Sequence, residues 1–385
     1  MVESKLRPTV AVVDLDRVES NAAWLAKMAY PSALCAVVKA NAYGHGAVPV
    51  AKAALRGGAS WLAVAVVEEG IELREAGIEA PILVLSEGSA AGVKEALRWD
   101  LVPSLYTDTG LRSLCEAALP GTRAGVAIKI DTGMGRVGVD PAVVAGLARS
   151  VAESDRLDLL SVWTHLAVAD DPDDPFTSVQ LARFDKAVAS IRSAGIDPGL
   201  LHAANSAAST RDSARYDMVR CGLALYGYSP SPALAGHFEG IEPALSLYSR
   251  IGMVKVLEAG ERPSYGRRRP LSCPSVVATV PIGYADGVPW RLFPSGDALV
   301  AGRRCSLAGS VTMDQIVLDC GPPGPGSPSP GDEVVLLGRQ GSEMVDASEW
   351  AQAAGTITYE ILTGIGGRVP RRHVGRFASD QRAGT

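Results

Sequence analysis

A lysine stands where an early apolar run of the chain ends. Residues 33–38 (ALCAVV) lead directly into Lys39, and a glycine-rich stretch follows within the string AVVKANAYGHG at residues 36–46. At the carboxyl end of a buried parallel strand a lysine is partly desolvated, which lowers its pKa and makes it a candidate nucleophile toward a carbonyl carbon. For a lysine considered alone, extension of the side chain to solvent is the commoner outcome.

A second motif has the glycine spacing of a dinucleotide site. The string GMGRVG at residues 133–138 follows a strand-like run and matches the pattern G-x-G-x-x-G. That fingerprint requires a helix that opens directly at the glycines, whereas here the helical pattern begins only at Pro141. We therefore do not interpret this string as a nucleotide site.

The elements that must position Lys39 alternate between short apolar runs and helical patterns up to about Tyr228. The runs lie at residues 10–13, 33–38, 61–66, 82–85, 126–130, 160–163, 200–203 and 218–219. The helical patterns include residues 16–29, 67–76, 141–152 and 178–194. Apolar strands separated by helices indicate a parallel sheet covered on both faces. About eight such units in ~230 residues favour an α/β fold with a (β/α)8 TIM-type barrel over an open doubly wound sheet.

A second, mainly-β domain is predicted to follow the barrel. Residues 229–243 are rich in Pro, Gly and Ser and predict a linker. Beyond it, strand-like runs lie at residues 254–257, 276–281, 298–300, 315–318 and 334–337, with one helical pattern at 346–354. We therefore predict two domains, residues 1–240 and 241–385, and a surface loop at residues 321–331.

Composition excludes several classes of protein. The chain of 385 residues carries a formal net charge of −5 without basic runs, which argues against nucleic acid or an anionic membrane as a partner. The longest apolar run is far shorter than a membrane helix, and the N-terminus has no long apolar stretch typical of a secretory signal. The six cysteines form no CxxC pair, so we expect reduced thiols, no metal and a cytoplasmic location.

Several strings resemble, in order, the blocks of one enzyme family. AVVKANAYGHG resembles the pyridoxal-phosphate attachment motif of alanine racemases. In the first domain DTGMGRVG (131–138), THLA (164–167), NSAA (205–208) and RCGLALYG (220–227) are similar to further family blocks. In the second domain so are SYG (264–266), GYADG (283–287), MDQ (313–315), YEI (359–361) and RVPR (368–371). The resemblance spans nearly the whole chain.

The resemblance implies an enzyme that interconverts L- and D-alanine with pyridoxal 5'-phosphate and supplies D-alanine for peptidoglycan precursors. It implies a barrel whose first strand joins the second domain, and a homodimer with shared active sites. Lys39 would carry the cofactor and move a proton on one face of the substrate. Tyr265 of the partner subunit would act on the other face, beside His165 and Arg220.

Further residues match the family's binding groups. Arg220 would face the pyridine nitrogen, and because a guanidinium keeps its proton, that nitrogen would stay unprotonated. Arg136 would contact the cofactor ring and the substrate carboxylate, next to Lys129, which is expected to be carbamylated. The expected phosphate-binding residues are Tyr43, Ser206, Gly222, Leu223 and Tyr359. The expected substrate-binding residues of the second domain are Met313, Asp314 and Tyr284.

Three alternatives remain. The enzyme could racemise another small amino acid such as serine. It could be a barrel-type decarboxylase, although that chemistry commonly places an acidic group at the ring nitrogen, where Arg220 is expected here. It could also be a non-catalytic cofactor-binding protein, but single-barrel relatives of that kind lack the second domain that carries Tyr265 and Tyr284.

Overall fold

The computed structural model describes residues 6–378, which fold into two compact units. The first, here called the barrel unit, comprises Arg17–Ala42 and Ala47–Glu242. The second, the β unit, comprises the N-terminal segment through Asp16, the segment Tyr43–Gly46 and the chain from Pro243 onward. Residues 1–5, which belong to the N-terminal stretch for which no secretory signal is predicted, lie outside the described residues.

Helices alternate with strands in the barrel unit, whereas strands dominate the β unit. The strands are β1 (Val10–Asp14), β2 (Ala33–Val37), β3 (Trp61–Val64), β4 (Ile82–Val84), β5 (Val102–Leu105), β6 (Ala124–Lys129), β7 (Leu157–Trp163), β8 (Leu200–His202), β9 (Met218–Cys221), β10 (Leu245–Arg250), β11 (Met253–Leu257), β12 (Ser275–Val280), β13 (Asp297–Val300), β14 (Arg303–Leu307), β15 (Ile316–Asp319), β16 (Glu333–Gln340), β17 (Glu343–Val345) and β18 (Arg371–Val374). The α-helices span Leu15–Ala29, Ala47–Arg56, Val67–Glu75, Ala90–Arg98, Asp108–Ala117, Val144–Ala152, Phe176–Ser193, Asp212–Arg215, Ala347–Ala354 and Thr358–Gly364.

The barrel unit confirms the predicted (β/α)8 class. Strands β2 to β9 form one parallel sheet in the order β8-β7-β6-β5-β4-β3-β2-β9. Because β9 pairs with β2, the sheet curls into a barrel, nearly closed since no ladder joins β8 to β9 among the described residues. All residues of β4 and β5 are buried, as expected for strands between a filled interior and a ring of helices.

One strand assignment from the apolar pattern is wrong, whereas the expectation from the family resemblance, that the first strand joins the second domain, is confirmed. The run at residues 10–13, counted among the eight barrel strands, is β1, which pairs antiparallel with β10 and parallel with β18 in the β unit. The missing barrel strand is β5, whose sequence VPSL contains a proline and a serine. Proline is rare in central strands, so this short segment carries a weak strand signal. In the barrel it pairs with β4 and β6.

The β unit is built on one mainly antiparallel sheet. Its order is β11-β12-β15-β14-β13-β16-β10-β1-β18, and β17 pairs with β16. The predicted runs correspond to β11, β12, β13, β15 and β16. Strands β10, β14, β17 and β18 were not predicted from the sequence. In β14 (RRCSL) and β18 (RRHV) arginines occupy positions that an apolar pattern would need. The expected linker contains a short 3₁₀ helix, Pro232–His237. No helix among residues 6–378 combines the length and the apolar character needed to cross a bilayer.

A buried carboxylate joins distant parts of the β unit. Asp286 accepts hydrogen bonds from Arg7 Nη1 (2.7 Å) and from the Gly283 N–H (3.0 Å), and it pairs with Arg368 Nε (3.0 Å). Burial raises the pKa of Asp286, but the hydrogen bonds from Arg7 and Gly283 and the two arginine charges outweigh it and hold the pKa below its ordinary value. The ionised side chain therefore stabilises the folded state.

We predict that Asp286→Asn lowers the free energy of unfolding of the β unit by about 2 kcal/mol at neutral pH, because both arginines lose their ionised partner. Since the folded pKa is depressed, this contribution is present above the unfolded value of about 3.9 and is lost as the pH falls further. Urea unfolding at several pH values measures the difference between the proteins. Glu343→Gln, which removes one carboxylate from the exposed Arg304 cluster, is the control and should change stability much less. Equal losses in the two variants would contradict the prediction.

Candidate active site

The chain makes a left-handed turn directly after the first barrel strand. Ala40, Asn41 and Ala42 all have φ of 52°. Consecutive L-residues in this region cost roughly 1–2 kcal/mol each, so the surrounding structure must hold them. The Asn41 Oδ1 accepts the Ala47 N–H (2.8 Å), which ties the turn to the next helix. Backbone strain of this kind concentrates at functional sites.

Glu69 holds the start of this turn. Its carboxylate accepts the N–H groups of Ala40 (2.5 Å) and Ala65 (2.8 Å), so it joins the end of β2 to the end of β3. Lys39, the first residue of the turn, is half-buried. Burial lowers the pKa of its ε-amine, the charge of Arg136 lowers it further, and the charge of Glu69 raises it. A larger fraction of Lys39 is therefore neutral and nucleophilic than in water.

Arg220 lies at the end of the last barrel strand and is buried. It donates to the carbonyls of Thr164 (2.7 Å) and Ala203 (3.1 Å), and its Nη1 lies 2.8 Å from His202 Nδ1. Its guanidinium carbon lies 4.8 Å from the centroid of the Trp163 ring. These contacts come from the ends of β7 and β8, next to β9, which carries Arg220, so the barrel itself fixes the guanidinium.

Arg220 keeps its positive charge although it is buried. Burial lowers its pKa to about 10, and the thiols of Cys35 and Cys221 oppose this shift. Arg220 therefore stays protonated at neutral pH. Among residues 6–378 no carboxylate forms an ion pair with it. A buried cation held by carbonyls and histidines leaves its charge available to an electron-rich ligand.

His165 is the neutral member of the same group. Its Nδ1 lies 3.3 Å from Arg220 Nη2. Burial lowers the pKa of His165 to about 3, and the charges of Arg220, Arg136, Lys129 and Lys39 act in the same direction. The imidazole is therefore neutral across the physiological pH range, and it accepts a hydrogen bond from Arg220 at one nitrogen while the other carries the proton.

Lys129 ends β6 inside the barrel unit and is buried. Its Nζ donates to the Val137 carbonyl and lies 5.3 Å from the Trp163 ring centroid. Burial lowers the pKa of Lys129 to about 8; the charge of Asp131 raises it, while the charge of Arg136 lowers it. The structure thus brings Lys129 and Arg136 within electrostatic reach of one another.

A group of backbone donors lies after the last two barrel strands. The Ser206 Oγ accepts the N–H groups of Gly222 (2.9 Å) and Ala224 (3.4 Å), where the 3₁₀ helix Leu223–Tyr226 begins. The next helical segment after Ser206 is the 3₁₀ turn Ala208–Thr210. The loops after the seventh and eighth strands are where barrels bind phosphate groups.

Two tyrosines of the β unit form a pair. The rings of Tyr43 and Tyr359 lie 5.9 Å apart between centroids and are tilted by 44°. Burial raises the pKa of Tyr43, and the neighbouring Tyr359 raises it further. The Tyr43 hydroxyl is therefore protonated at neutral pH, so it can donate a hydrogen bond.

Tyr265 is exposed on a strained turn of the β unit. Its side chain is 77% exposed, and the flanking Ser264 and Arg267 have φ of 67° and 45°. The Ser264 hydroxyl donates to the Ser310 carbonyl (2.6 Å), and the Ser310 hydroxyl donates to the Tyr265 carbonyl (3.0 Å). The backbone is thus fixed while the phenol projects into solvent.

The remaining predicted residues of the β unit lie on two loops that are hydrogen-bonded together. The Tyr284 N–H donates to the Thr312 carbonyl (2.9 Å), next to Met313. Both Tyr284 and Met313 are about half exposed. Asp314 forms an ion pair with Arg368 (2.7 Å). A hydrogen bond and an ion pair therefore hold the loops that carry the side chains predicted to bind the substrate.

Sequence reasoning missed three residues of the barrel site. Glu69 lies in the stretch VVEEG, which has no motif of its own, and its role depends on contacts with two strand ends. His202 ends the apolar run LLH, and Trp163 ends LDLLSVW. A polar or aromatic residue that ends a barrel strand is a signal that could have found the last two.

Taken together, these features define a (β/α)8 barrel protein that has a second, mainly-β unit and a lysine of lowered pKa just after a barrel strand. Comparison with known proteins gives the family. The models "Alanine racemase, N-terminal domain" and "Alanine racemase, C-terminal domain" match residues 13–230 and 244–373. The chain therefore belongs to the alanine racemase family.

Individual relatives agree over their full length. The alanine racemase of Symbiobacterium thermophilum is 46% identical over 375 residues, which cover 97% of this chain and 99% of the relative. The crystal structure of alanine racemase from D-cycloserine producing Streptomyces lavendulae matches with a TM-score of 0.92 at 40% identity, covering 98% and 100% of the two chains. The Bacillus anthracis alanine racemase with bound L-Ala-P matches with a TM-score of 0.88 at 36% identity, covering 96% of each chain.

We predict that Glu69→Gln lowers the pKa of the Lys39 amine, because it removes the negative charge that raises that pKa while it keeps an acceptor oxygen. The measurement is the pH dependence of acetylation of Lys39 by trace acetic anhydride in cofactor-free protein, followed by peptide mass spectrometry. The midpoint should move to lower pH. The neighbouring Glu68→Gln is the matched control, since Glu68 is exposed and should leave the midpoint in place. A midpoint unaffected by Glu69→Gln would show that this carboxylate does not act on Lys39.

Proposed function

We propose that this chain interconverts L- and D-alanine with pyridoxal 5'-phosphate as cofactor. The observation that carries the proposal is the Lys39 amine, which stands at the carboxyl end of a barrel strand with a lowered pKa. The full-length similarity to alanine racemases supports the choice of substrate. The proposal assigns Lys39, Tyr265, His165 and Arg220 to catalysis.

The residues of the chain fit this cofactor. The Lys39 amine can bind an aldehyde. The Ser206 hydroxyl and the Leu223 N–H can donate to a phosphate group, beside the Gly222 N–H, which donates to Ser206 in this structure. Arg220 is a buried cation without a carboxylate partner among residues 6–378, which suits the pyridine nitrogen as acceptor. The hydroxyls of Tyr43 and Tyr359 would add donors to the phosphate. When bound, pyridoxal phosphate withdraws electrons from an amino acid and makes its α-proton acidic.

Racemisation requires proton transfer on both faces of the substrate. Lys39 would take or return the α-proton on one face of the substrate. Tyr265 of the partner subunit would act on the other face. An ordinary phenol has a pKa of about 10 and needs help to act as a base at neutral pH. The positive charge of Arg220, joined to His165 by a hydrogen bond, is suited to stabilise the phenolate.

Arg220 also favours racemisation over decarboxylation. Its guanidinium keeps its proton at neutral pH, so it would act only as a donor to the pyridine nitrogen and leave that nitrogen without a proton of its own. Electron withdrawal is then weaker than with an acidic partner, which a decarboxylase of this barrel type commonly uses. Arg136 would bind the substrate carboxylate, with Met313, Asp314 and Tyr284 of the partner subunit lining the entrance.

The exposure of Tyr265 supports a homodimer. The hydroxyls of Ser264 and Ser310 fix its backbone while its phenol projects into solvent, as expected of a residue that serves another copy of the chain. A twofold dimer would then have two composite sites, each with Lys39 from one chain and Tyr265 from the other.

We predict that Lys39→Ala and Tyr265→Ala are each inactive alone but recover activity when the two variants are mixed and re-paired. Random re-pairing of a twofold dimer gives mixed dimers in which one of two sites is intact, so activity should reach about a quarter of wild type. The measurement is the loss of optical activity of L-alanine, with L-serine assayed alongside as the alternative substrate. Each variant taken alone through the same re-pairing is the control. No recovery from the mixture would show that Tyr265 acts within its own chain or not at all.

We predict that Lys129 is carbamylated. A lysine with a pKa of about 8 is neutral often enough to react with CO₂, and the charge of Arg136 stabilises the carbamate that forms. With ¹³C-bicarbonate, NMR should show a carbamate signal that grows as the pH rises through about 8 and disappears in Lys129→Ala. The exposed Lys52 provides the matched control, since Lys52→Ala should keep the signal. A wild-type spectrum without a signal that depends on Lys129 would refute the modification.

A further inference from the structure

Two cysteines lie opposite one another on adjacent strands of the β unit. Strands β14 and β15 are antiparallel, with Ser306 opposite Asp319. One step further along the same ladder places Cys305 opposite Cys320, so the two side chains leave the same face of the sheet. Both residues are buried and both are thiols.

The hydrogen-bond pattern of the ladder indicates that the Cα atoms of this pair lie close together. The Ala308 N–H donates to the Val317 carbonyl (2.7 Å), so that pair is hydrogen-bonded. Hydrogen-bonded and non-hydrogen-bonded pairs alternate, and Cys305 with Cys320 is therefore a non-hydrogen-bonded pair, whose Cα atoms lie about 4.5 Å apart. The Cys320 N–H confirms this, since it donates away from β14, to the Val276 carbonyl (2.9 Å). A separation of about 4.5 Å lies within the range that a disulfide spans.

The two thiols interact directly. A hydrogen bond from Cys320 lowers the pKa of Cys305, burial opposes this shift, and the charge of Arg303 assists it. The same hydrogen bond, followed by burial, raises the pKa of Cys320. Cys305 is thus the thiol that ionises first, with Cys320 as its donor, which is the arrangement of an attacking and a resolving cysteine.

A surface cavity gives small molecules access to this pair. The cavity has a volume of about 580 Å³, and both Cys305 and Cys320 line it. Three arginines and one carboxylate line it as well (Arg269, Arg303, Arg304 and Asp319), so its net positive charge suits an anionic molecule. A third thiol, the half-buried Cys273, lies on the same cavity. Among residues 6–378 no cluster of three metal-ligating side chains occurs, which leaves thiol chemistry rather than metal binding.

We propose that Cys305 and Cys320 form a dithiol that a small anionic disulfide oxidises to a cross-strand disulfide. The Cys305 thiolate attacks one sulfur of the oxidant, whose S–S bond breaks and releases its second half as a thiolate. Cys320 then attacks the Cys305 sulfur, which forms the bond between the two cysteines and releases the first half. The two protons of the cysteine thiols end on the two released thiols, so the protein loses two electrons and the oxidant gains two.

The bridge would close the base of a functional hairpin. The loop between β14 and β15 carries Met313 and Asp314, the residues that the proposed function assigns to the substrate. Only this consequence rests on the proposed function. Oxidation of the dithiol is a property of the β unit, and thiol analysis detects it whether or not the protein racemises alanine.

The experiment treats the purified protein with excess oxidised glutathione, alkylates it in denaturant and digests it. Two of the six thiols should be lost. Because no Lys or Arg lies between them, both cysteines fall on the tryptic peptide 305–339, whose mass should decrease by two hydrogen atoms. Cyanogen bromide cleaves this peptide at Met313, and the two halves should stay together until a reductant is added. Six remaining thiols, or glutathione held on Cys305 without a bridge, would overturn the proposal.

Matched variants locate the reaction. Cys273→Ser, which removes the neighbouring thiol of the same cavity, should still form the bridge to the wild-type extent. Cys305→Ser and Cys320→Ser should each abolish it. Loss of the bridge in Cys273→Ser would show that the cavity reacts through another pair, contrary to the proposal. The wild-type peptide map needs no variant, so it decides the matter even if a substitution prevents folding.

Discussion

The buried positive charge of Arg220 is the constraint on which the barrel site depends. Carbonyls at the ends of two neighbouring strands and a histidine hold the guanidinium, but no carboxylate among residues 6–378 neutralises it. Its field contributes to the lowered pKa values of His165 and Lys129. The charge of Arg220 therefore helps to lower the pKa of its neighbours. A ligand that accepts hydrogen bonds from Arg220 would stabilise this buried cation.

The backbone beside the reactive side chains is strained, and hydrogen bonds with neighbouring side chains offset this strain. The left-handed turn after Lys39 would be unfavourable alone, yet Glu69 and Asn41 accept backbone N–H groups on either side of it. The exposed Tyr265 is held similarly, by the hydroxyls of Ser264 and Ser310. In both places hydrogen bonds with side chains fix the backbone. The backbone of half-buried Lys39 and that of exposed Tyr265 are therefore held in the same way.

The sequence was sufficient for the barrel class and for the position of Lys39 just after a buried barrel strand, because the apolar run before this lysine is continuous. It was insufficient where a role arises only from tertiary pairing. Residues 10–13 look like a barrel strand because apolar content does not record which sheet a strand joins. The VPSL strand was missed because its proline argues against a strand. Glu69 was missed because its partners are strand ends distant in sequence.

The place of β1 bears on how the chain is made. This strand pairs on one side with β10 and on the other with β18, near the C-terminus. During translation the whole barrel unit is synthesised before β10 and β18. Both edges of β1 therefore stay unpaired during that time. Open edges invite association with other chains. The nascent polypeptide therefore has a long interval in which chaperone protection of β1 would matter, and this part of the sheet is completed only after β18 has been synthesised.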